Sequence, residues 1–138
     1  MHNLAALKRQ HQDIVVLIDT IENLIEQKNI EENASIISKY INELSGKLKI
    51  HLSHEDQYLY PNFKKSKHEN LRNKVENYIN EMGDLSEIFY CYKNSFNTRT
   101  KILKEPNEFI RESEIIFFAI KKRITREDDD LYVLAENI

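Results

Sequence analysis

Glycine and proline are nearly absent from this chain, and this scarcity constrains its fold more than any other feature. Two residues of each kind occur among 138, far below ordinary usage, so few tight turns can form and long helices are expected. Apolar residues recur at steps of three and four, the spacing of one helix face, in runs that begin at Leu4, Ile37, Leu71 and Phe109. Short connections favour antiparallel neighbours, so the pattern predicts an all-α, antiparallel up-down-up-down four-helix bundle.

The predicted helices are separated by residues that disfavour helix. The first helix is expected to end at residues 28–29, and the second to end or kink at Pro61, because proline lacks the N–H that the next helical bond requires. Residues 97–105 are polar and aperiodic, and Pro106 suits the first turn of the fourth helix. No linker or low-complexity segment interrupts the pattern, so residues 1–138 are expected to form a single domain.

The composition narrows the class of protein. Hydrophobic residues make up 41% of the chain, enough for one core, and the net charge is −3 with both signs mixed along the chain. This balance argues against a surface for nucleic acid or anionic lipid. No segment approaches the ~20 apolar residues of a membrane span, and no signal peptide is evident at the N-terminus. With Cys91 as the one cysteine, no intrachain disulfide can form, and a cytoplasmic protein is expected.

The chain also carries one ten-residue pattern twice. Copy one begins at His51 and reads HLSHEDQYLY; copy two begins at Arg123 and reads RITREDDDLY. Each copy places a glutamate four residues after its first member, and positions i and i+4 share a helix face. Copy one therefore places His51 and Glu55 side by side, a pair that is suited to ligating one metal ion. Copy two pairs Arg123 with Glu127, a natural salt bridge.

Five polar residues occupy positions in the helix faces where apolar side chains are expected. The first lies about two turns into helix one, and the two glutamates lie about two to three turns before the ends of helices two and four. In an antiparallel bundle these depths coincide, so the five are expected to meet in one buried layer. They are His11, His51, Glu55, Arg123 and Glu127. Buried charge left unpaired costs several kcal/mol, so the layer must satisfy itself.

Two chemistries can satisfy this layer, and residue types alone favour neither. A metal ion could be held by two imidazoles and two carboxylates, a set that suits iron, manganese or zinc. These candidate ligands are His11, His51, Glu55 and Glu127. Alternatively, Arg123 offers five donors that can hold both glutamates in a fork and supply the positive charge itself. Met82 is expected near the layer. Tyr58 and Tyr60 flank the first copy, and a tyrosine hydroxyl such as that of Tyr58 is a candidate partner of a metal-bound water, although packing is the commoner role.

The pattern resembles that of hemerythrin-type proteins, the group of HHE cation-binding domains. The resemblance covers nearly the whole chain and rests on three matches: His11, the run His51-x-x-x-Glu55 followed by Leu59-Tyr60-Pro61, and the pair Glu127-Asp128 followed by Leu131-Tyr132. It implies a four-helix bundle with a non-haem di-iron centre in its core. It also implies a protein that binds oxygen, stores or senses iron, or senses oxygen or redox state.

Two residues depart from the pattern of that family. Met82 stands near the place of a histidine in the third helix, and Arg123 stands in the place of a histidine at the start of the second motif. Methionine suits a hard iron site poorly, and arginine cannot ligate a metal. The resemblance then implies a single ion or an incomplete di-iron centre. The alternative is a metal-free member of the family that acts as a regulatory or protein-interaction module, with Arg123 replacing the metal charge.

The sequence favours binding or sensing over catalysis. It contains neither a nucleophile–base–acid constellation nor a glycine-rich phosphate loop, so it is expected not to be an enzyme. A peroxidase-like di-iron activity is the third hypothesis. The resemblance implies a small metal-binding protein with iron as the first candidate and oxygen, iron or redox state as the signal. No protein partner is identified, and an apolar outer stripe with Phe117 and Phe118 leaves a dimer open.

Overall fold

The computed structural model describes residues 4–138, which form helices throughout. Their bounds in chain order are α1 (Leu4–Glu26), α2 (Ile30–His54), a π-helical turn π1 (Glu55–Leu59), α3 (Tyr60–Lys64), α4 (Glu69–Met82), α5 (Leu85–Phe96), α6 (Arg99–Lys104), α7 (Pro106–Arg126), a second π-helical turn π2 (Glu127–Leu131) and α8 (Tyr132–Glu136). The described residues contain no strand, so the all-α prediction is confirmed. None of the described helices combines the length and the apolar composition that a membrane crossing demands.

These elements build four long rods. Rod 1 is α1, rod 2 is α2 with π1 and α3, rod 3 is α4 with α5, and rod 4 is α7 with π2 and α8. Lys8, near the start of rod 1, forms an ion pair with Glu136, near the end of rod 4. Asp19, farther along rod 1, forms an ion pair at 2.7 Å with Lys121, which precedes Glu136 in rod 4. The same reversal relates rods 1 and 2 and rods 3 and 4. The predicted antiparallel bundle is therefore confirmed.

The sequence predicts that rod 2 ends or kinks at Pro61, and the structure shows that it does not end there. The helix widens into π1 at Glu55, where the N–H of Tyr60 bonds the carbonyl of Glu55, and it then continues as α3 to Lys64. In a π turn each N–H reaches back five residues instead of four, so the irregularity is absorbed inside the helix. Rod 4 makes the same turn although Val133 stands where rod 2 has Pro61. Proline is therefore not required for the turn.

Rod 3 contains a break that the apolar pattern does not predict. α4 ends at Met82, and α5 begins at Leu85 after Gly83 and Asp84. A Cβ atom at Gly83 would lie 2.4 Å from the carbonyl oxygen of Ile79, so the backbone at this point requires glycine. The break lies level with the polar layer. At this level the Met82 carbonyl of rod 3 accepts a hydrogen bond from Arg123.

The connection between rods 3 and 4 is more ordered than predicted. Residues 97–105 contain α6, whose first turn is closed by the Thr98 hydroxyl accepting a hydrogen bond from the N–H of Lys101 at 3.2 Å, the usual N-cap contact. Ile102 of α6 is fully buried. This side chain ties the connection to the core.

The polar layer divides the core into two apolar clusters. The larger cluster includes Ile14, Leu48 and Ile120, and the smaller cluster, at the end where the motif copies finish, includes Leu7 and Leu131. Between them lie the five polar side chains predicted to meet, each at most 1% exposed: His11, His51, Glu55, Arg123 and Glu127. The layer is thus shielded from water on both sides, which strengthens every electrostatic interaction within it.

Candidate metal centre

Four side chains of the polar layer converge on one point. His11 comes from α1, His51 from α2, Glu55 from the first residue of π1 and Glu127 from the first residue of π2. One nitrogen or oxygen atom of each lies within 4.8 Å of the corresponding atom of every other, and all four side chains are buried. Two imidazoles and two carboxylates at these separations could hold a metal ion.

Hydrogen bonds at the outer ring nitrogens fix how the two histidines face the centre. His11 Nδ1 lies 2.7 Å from Asp128 Oδ1, and His51 Nδ1 lies 2.7 Å from Gln10 Oε1. Both partner atoms are acceptors, so each Nδ1 carries a proton and donates it. In a neutral imidazole the inner nitrogen, Nε2, then presents a lone pair. An acceptor on the outer nitrogen is the usual support of a metal-binding histidine.

Among the described residues, three buried side-chain atoms have no hydrogen-bond partner, and all three lie at this centre: His11 Nε2, His51 Nε2 and Glu127 Oε1. His11 Nε2 lies 3.0 Å from Glu127 Oε1, and His51 Nε2 lies 3.3 Å from Glu55 Oε1. With the ring protons on Nδ1, these contacts set one lone pair against another. Buried polar atoms without partners are rare and costly, so the centre requires a proton or a cation between these atoms.

Two buried tyrosines hold the carboxylates from across the bundle. The Tyr60 hydroxyl of copy one donates to Glu127 of copy two, and the Tyr132 hydroxyl of copy two donates to Glu55 of copy one. Burial and the charges of Glu55 and Glu127 raise the pKa of both phenols far above the ordinary value, so both remain donors. Each tyrosine stands five residues after its own glutamate, and the π turns bring that position to the same face.

Arg123 occupies the part of the layer where copy two begins. Its Nη2 donates to Glu55 Oε1 at 3.2 Å and to Asp56 Oδ1 at 3.1 Å. Its Nε donates to Glu127 Oε2 at 3.4 Å, and its Nη1 donates to the Met82 carbonyl at 3.1 Å, at the break in rod 3. One guanidinium therefore connects both glutamates of the centre to rod 3.

The two carboxyl groups of the centre differ in ionisation. Burial opposes ionisation of Glu55, but the close polar groups of His51 and Glu127 and the charge of Arg123 hold its pKa well below the ordinary value. Burial and the negative charge of Glu55 raise the pKa of Glu127 well above the ordinary value. Without an ion, the layer thus holds one carboxylate, one guanidinium and one carboxylic acid, and these charges balance.

A cavity of about 10 Å³ adjoins the centre on the side of the larger apolar cluster. The residues around it include His51 and Arg123 from the polar layer and Leu48, Leu52 and Ile120 from the larger apolar cluster. A space of this size holds roughly one water-sized sphere. The centre therefore has room for one ion or one further ligand atom.

Two residues named from the sequence lie apart from the ligands. The Tyr58 side chain is 61% exposed, and its ring lies against His54, so the prediction that it adjoins the centre is wrong. Met82 packs its side chain against the smaller apolar cluster and contacts the layer through its carbonyl. The inward-facing hydroxyls belong to Tyr60 and Tyr132 instead.

The supporting roles of four residues do not follow from sequence reasoning: Gln10, Tyr60, Asp128 and Tyr132. The Leu-Tyr ending that both copies share is the one visible signal for the two tyrosines. Gln10 and Asp128 each stand next to a candidate ligand in the chain. Adjacency alone does not say which ligand a side chain contacts, and both contact a histidine of the neighbouring rod.

One comparison with known proteins finds a related family. The family model of the hemerythrin HHE cation binding domain matches residues 2–135. No curated protein and no solved structure gives a significant match. Because the family match spans nearly the whole chain, the protein belongs to the hemerythrin HHE cation-binding domain family.

Proposed function

We propose that this protein binds one metal ion, with iron as the first candidate, through His11, His51, Glu55 and Glu127. The observation that carries the proposal is the convergence of two imidazole Nε2 atoms and one carboxylate oxygen, all buried without hydrogen-bond partners. A cation among them would convert repulsion between lone pairs into bonds. Membership of a cation-binding family supports the proposal.

Protonation satisfies the centre less completely than a cation does. A proton on Glu127 Oε1 would bridge to His11 Nε2, 3.0 Å away. It would leave His51 Nε2 facing the ionised Glu55 Oε1 at 3.3 Å without a donor. A second proton there would charge the His51 ring in a layer that already holds the guanidinium of Arg123. One cation satisfies both histidine–carboxylate pairs at once.

The donor set and its surroundings favour a transition metal. Imidazole nitrogen and carboxylate oxygen are ligands that iron, manganese and zinc share. Acceptors on both outer ring nitrogens, from Asp128 and Gln10, orient the histidines and make them stronger ligands. The exchanged hydrogen bonds from Tyr60 and Tyr132 hold the two carboxylates in place.

The arrangement supports one ion rather than a di-iron centre. Copy two begins with Arg123, which cannot ligate, and the Met82 carbonyl that rod 3 offers already accepts a hydrogen bond from Arg123. A second ion would have to displace a guanidinium that is 1% exposed. Beside the guanidinium, the cavity of about 10 Å³ holds roughly one water-sized sphere, which is too little for a second ion with ligands of its own.

The role we propose for this ion is binding or sensing. The closed position of the ligands inside the core suits retention of an ion better than turnover of a substrate. Family resemblance supports oxygen, iron or redox state as the signal. We further propose that residues 1–138 form one domain, which the family match over residues 2–135 supports. We also propose that the protein is cytoplasmic.

A second candidate function is that of a metal-free regulatory or protein-interaction module. One observation favours it: Arg123 is bonded to both glutamates, and the raised pKa of Glu127 lets the layer reach charge balance without an ion. This candidate predicts a stable bundle that takes up no metal.

Titration of chelator-treated protein with Fe²⁺ without oxygen distinguishes the two candidates. We expect one equivalent to bind to the wild type and to His54→Ala. His51→Ala should lower the affinity by about a hundredfold or more, since even an outer contact of a ligand is worth about 10- to 100-fold. His54 is the matched control because it lies in the same helix and is exposed. Equal affinity in His51→Ala would contradict the proposal, and no binding to the wild type would favour the metal-free module.

A further inference from the structure

Arg123 is a fixed positive charge beside the proposed ligands. Its side chain is 1% exposed, and its guanidinium lies over the ring of Tyr60, 5.2 Å from the ring centroid. Each of its three nitrogens donates a hydrogen bond, and these bonds fix the orientation of the guanidinium. A guanidinium does not lose its proton in proteins. The charge is therefore permanent.

The hydrogen bonds of Arg123 go to the same carboxylates that would hold the ion. Glu55 Oε1 accepts from Arg123 at 3.2 Å and also faces His51 Nε2 at 3.3 Å. Glu127 accepts from Arg123 through Oε2 and directs Oε1 to the centre. A carboxylate that shares its charge with a guanidinium has less to give to a metal ion. Hydrogen bonding around ligand atoms is one of the levers that set the potential of a metal site.

The charge count of the layer limits the charge that it can accept. When an ion takes the place of the proton on Glu127, two carboxylates and one guanidinium leave −1 among the buried groups. A divalent ion then brings the sum to +1 and a trivalent ion to +2. Apolar clusters enclose the layer on both sides, where each added charge interacts strongly. Asp56 and Asp128 are each 33% exposed, so water screens much of their compensation.

We propose that Arg123 sets the oxidation state of the bound metal, holding the ion divalent and making loss of an electron unfavourable. The proposal rests on the proposed function and narrows it. A centre that resists oxidation reports the availability of a divalent ion, so iron supply becomes the signal in preference to oxygen or redox state. Arg123 would contact the ligands Glu55 and Glu127 and not the ion itself. It therefore acts on the ion through these two carboxylates, as a positioning residue.

Reduction potentials of iron-loaded variants test this role. Fe²⁺ protein would be titrated with soluble one-electron mediators, so that each Fe²⁺ loses one electron to the mediator and becomes Fe³⁺. In Arg123→Met, we expect the ratio of Fe³⁺ to Fe²⁺ at a fixed potential to rise at least tenfold, a fall in potential of about 59 mV for a one-electron couple. Arg123→Lys retains the charge and should change the ratio by less than half as much on a logarithmic scale.

Two controls separate charge from structural damage. One equivalent of Zn²⁺ should bind to every variant, which shows that the ligands remain in place. Arg123→Gln gives the same neutral comparison if Arg123→Met does not fold. Independently of any variant, iron in the wild type is expected to remain ferrous in air, and its rapid oxidation would overturn the proposal.

The outcomes distinguish this proposal from the one on which it rests. An unchanged or higher potential in the neutral variants, with Zn²⁺ still bound, would overturn the role of Arg123 alone. An equal fall in Arg123→Lys would overturn it too, because position rather than charge would then matter. A wild type that binds neither Fe²⁺ nor Zn²⁺ would overturn the proposed function and this proposal together.

Discussion

Copy one and copy two build the same backbone and differ most in their first side chain. Each forms a π turn, buries its glutamate at the first residue of that turn, and sends a tyrosine to the glutamate of the other copy. His51 opens copy one and Arg123 opens copy two. The shared part constructs the polar layer. Under the proposed function, the first residue decides whether the cation there is a bound metal ion or the guanidinium of the chain itself.

Rods 1 and 3, which lie beside the two copies, also differ in whether they offer a histidine to the polar layer. Rod 1 offers His11 to Glu127, with Asp128 of copy two supporting the ring. Rod 3 offers no imidazole at the level of the layer, and Asp56, the counterpart of Asp128, accepts a hydrogen bond from Arg123 instead. One guanidinium thus takes the places of two imidazoles. Under the proposed function, one half of the symmetric arrangement remains for a metal ion.

The largest effect should come from removing the charge of copy two. Arg123→Met in metal-free protein leaves Glu55 ionised without its counter-charge, so we expect the free energy of unfolding to fall by about 3 kcal/mol or more. Urea denaturation measures it. Bound Zn²⁺ should restore part of the loss, because the ion replaces the missing charge. A loss below about 1 kcal/mol lies within the range of exposed ion pairs. It would show that Arg123 of copy two is not the counter-charge that Glu55 of copy one requires.

The exchanged tyrosines should contribute unequally in metal-free protein. Tyr132 donates to the ionised Glu55, and Tyr132→Phe should cost about 2 kcal/mol, whereas Tyr60 donates to the protonated Glu127, and Tyr60→Phe should cost about 1 kcal/mol. Tyr58→Phe is the matched control, since Tyr58 is exposed and its substitution should cost nothing measurable. Chemical denaturation of the three variants makes the comparison. The reverse order for Tyr60 and Tyr132 would contradict the assigned ionisation of the two glutamates.

Supports of the histidines should affect the ion more than the fold. Asp128→Ala removes the acceptor of His11 Nδ1 and frees the ring to change tautomer, so the affinity for Zn²⁺ should fall by about tenfold or more. Asp129→Ala, one residue along and exposed, should leave it unchanged. Competition with a chromogenic chelator measures both. Equal Zn²⁺ affinity in the two variants would contradict the inference that Asp128 fixes the lone pair of His11 on Nε2.

The smallest effect concerns pH in metal-free protein. The pKa of Glu127 lies well above its ordinary 4.5 in the folded state, so folding favours its protonated form, and the stability it contributes is lost as pH rises above about 4.5 through the raised pKa. The lowered pKa of Glu55 acts oppositely, but only as pH falls below about 4.5. Melting temperatures of wild type and Glu127→Gln across this range test the sign. A melting temperature that rises with pH in the wild type alone would contradict it.

The sequence predicts the bundle and the polar layer because both follow from the helical repeat. Polar residues at core spacing, such as His11 and Glu127, can be recognised without coordinates. The choice between Tyr58 and Tyr60 cannot, because a regular helix would place the residue three positions after Glu55 on its face. The π turn inserts an extra residue, so Tyr60 faces inward and Tyr58 outward. Both copies of the motif make this turn, yet no single residue type announces it.

The contacts of Arg123 were also only partly predictable. Its fork over the two glutamates follows from the i, i+4 spacing and the shared depth of the copies. Its bond to the Met82 carbonyl depends on the break at Gly83, which the apolar repeat passes over. Long-range geometry of this kind is set by how the rods pack, not by the residues nearby in the chain.

The metal content of the untagged wild-type protein tests the central claim most directly. The protein would be expressed in iron-rich medium, purified without chelator and measured by inductively coupled plasma mass spectrometry beside His51→Ala. We predict close to one atom of iron, manganese or zinc per chain in the wild type and a small fraction of that in His51→Ala. Two atoms per chain would show that Arg123 does not take the place of a second ion, and none would show that the guanidinium alone fills the layer.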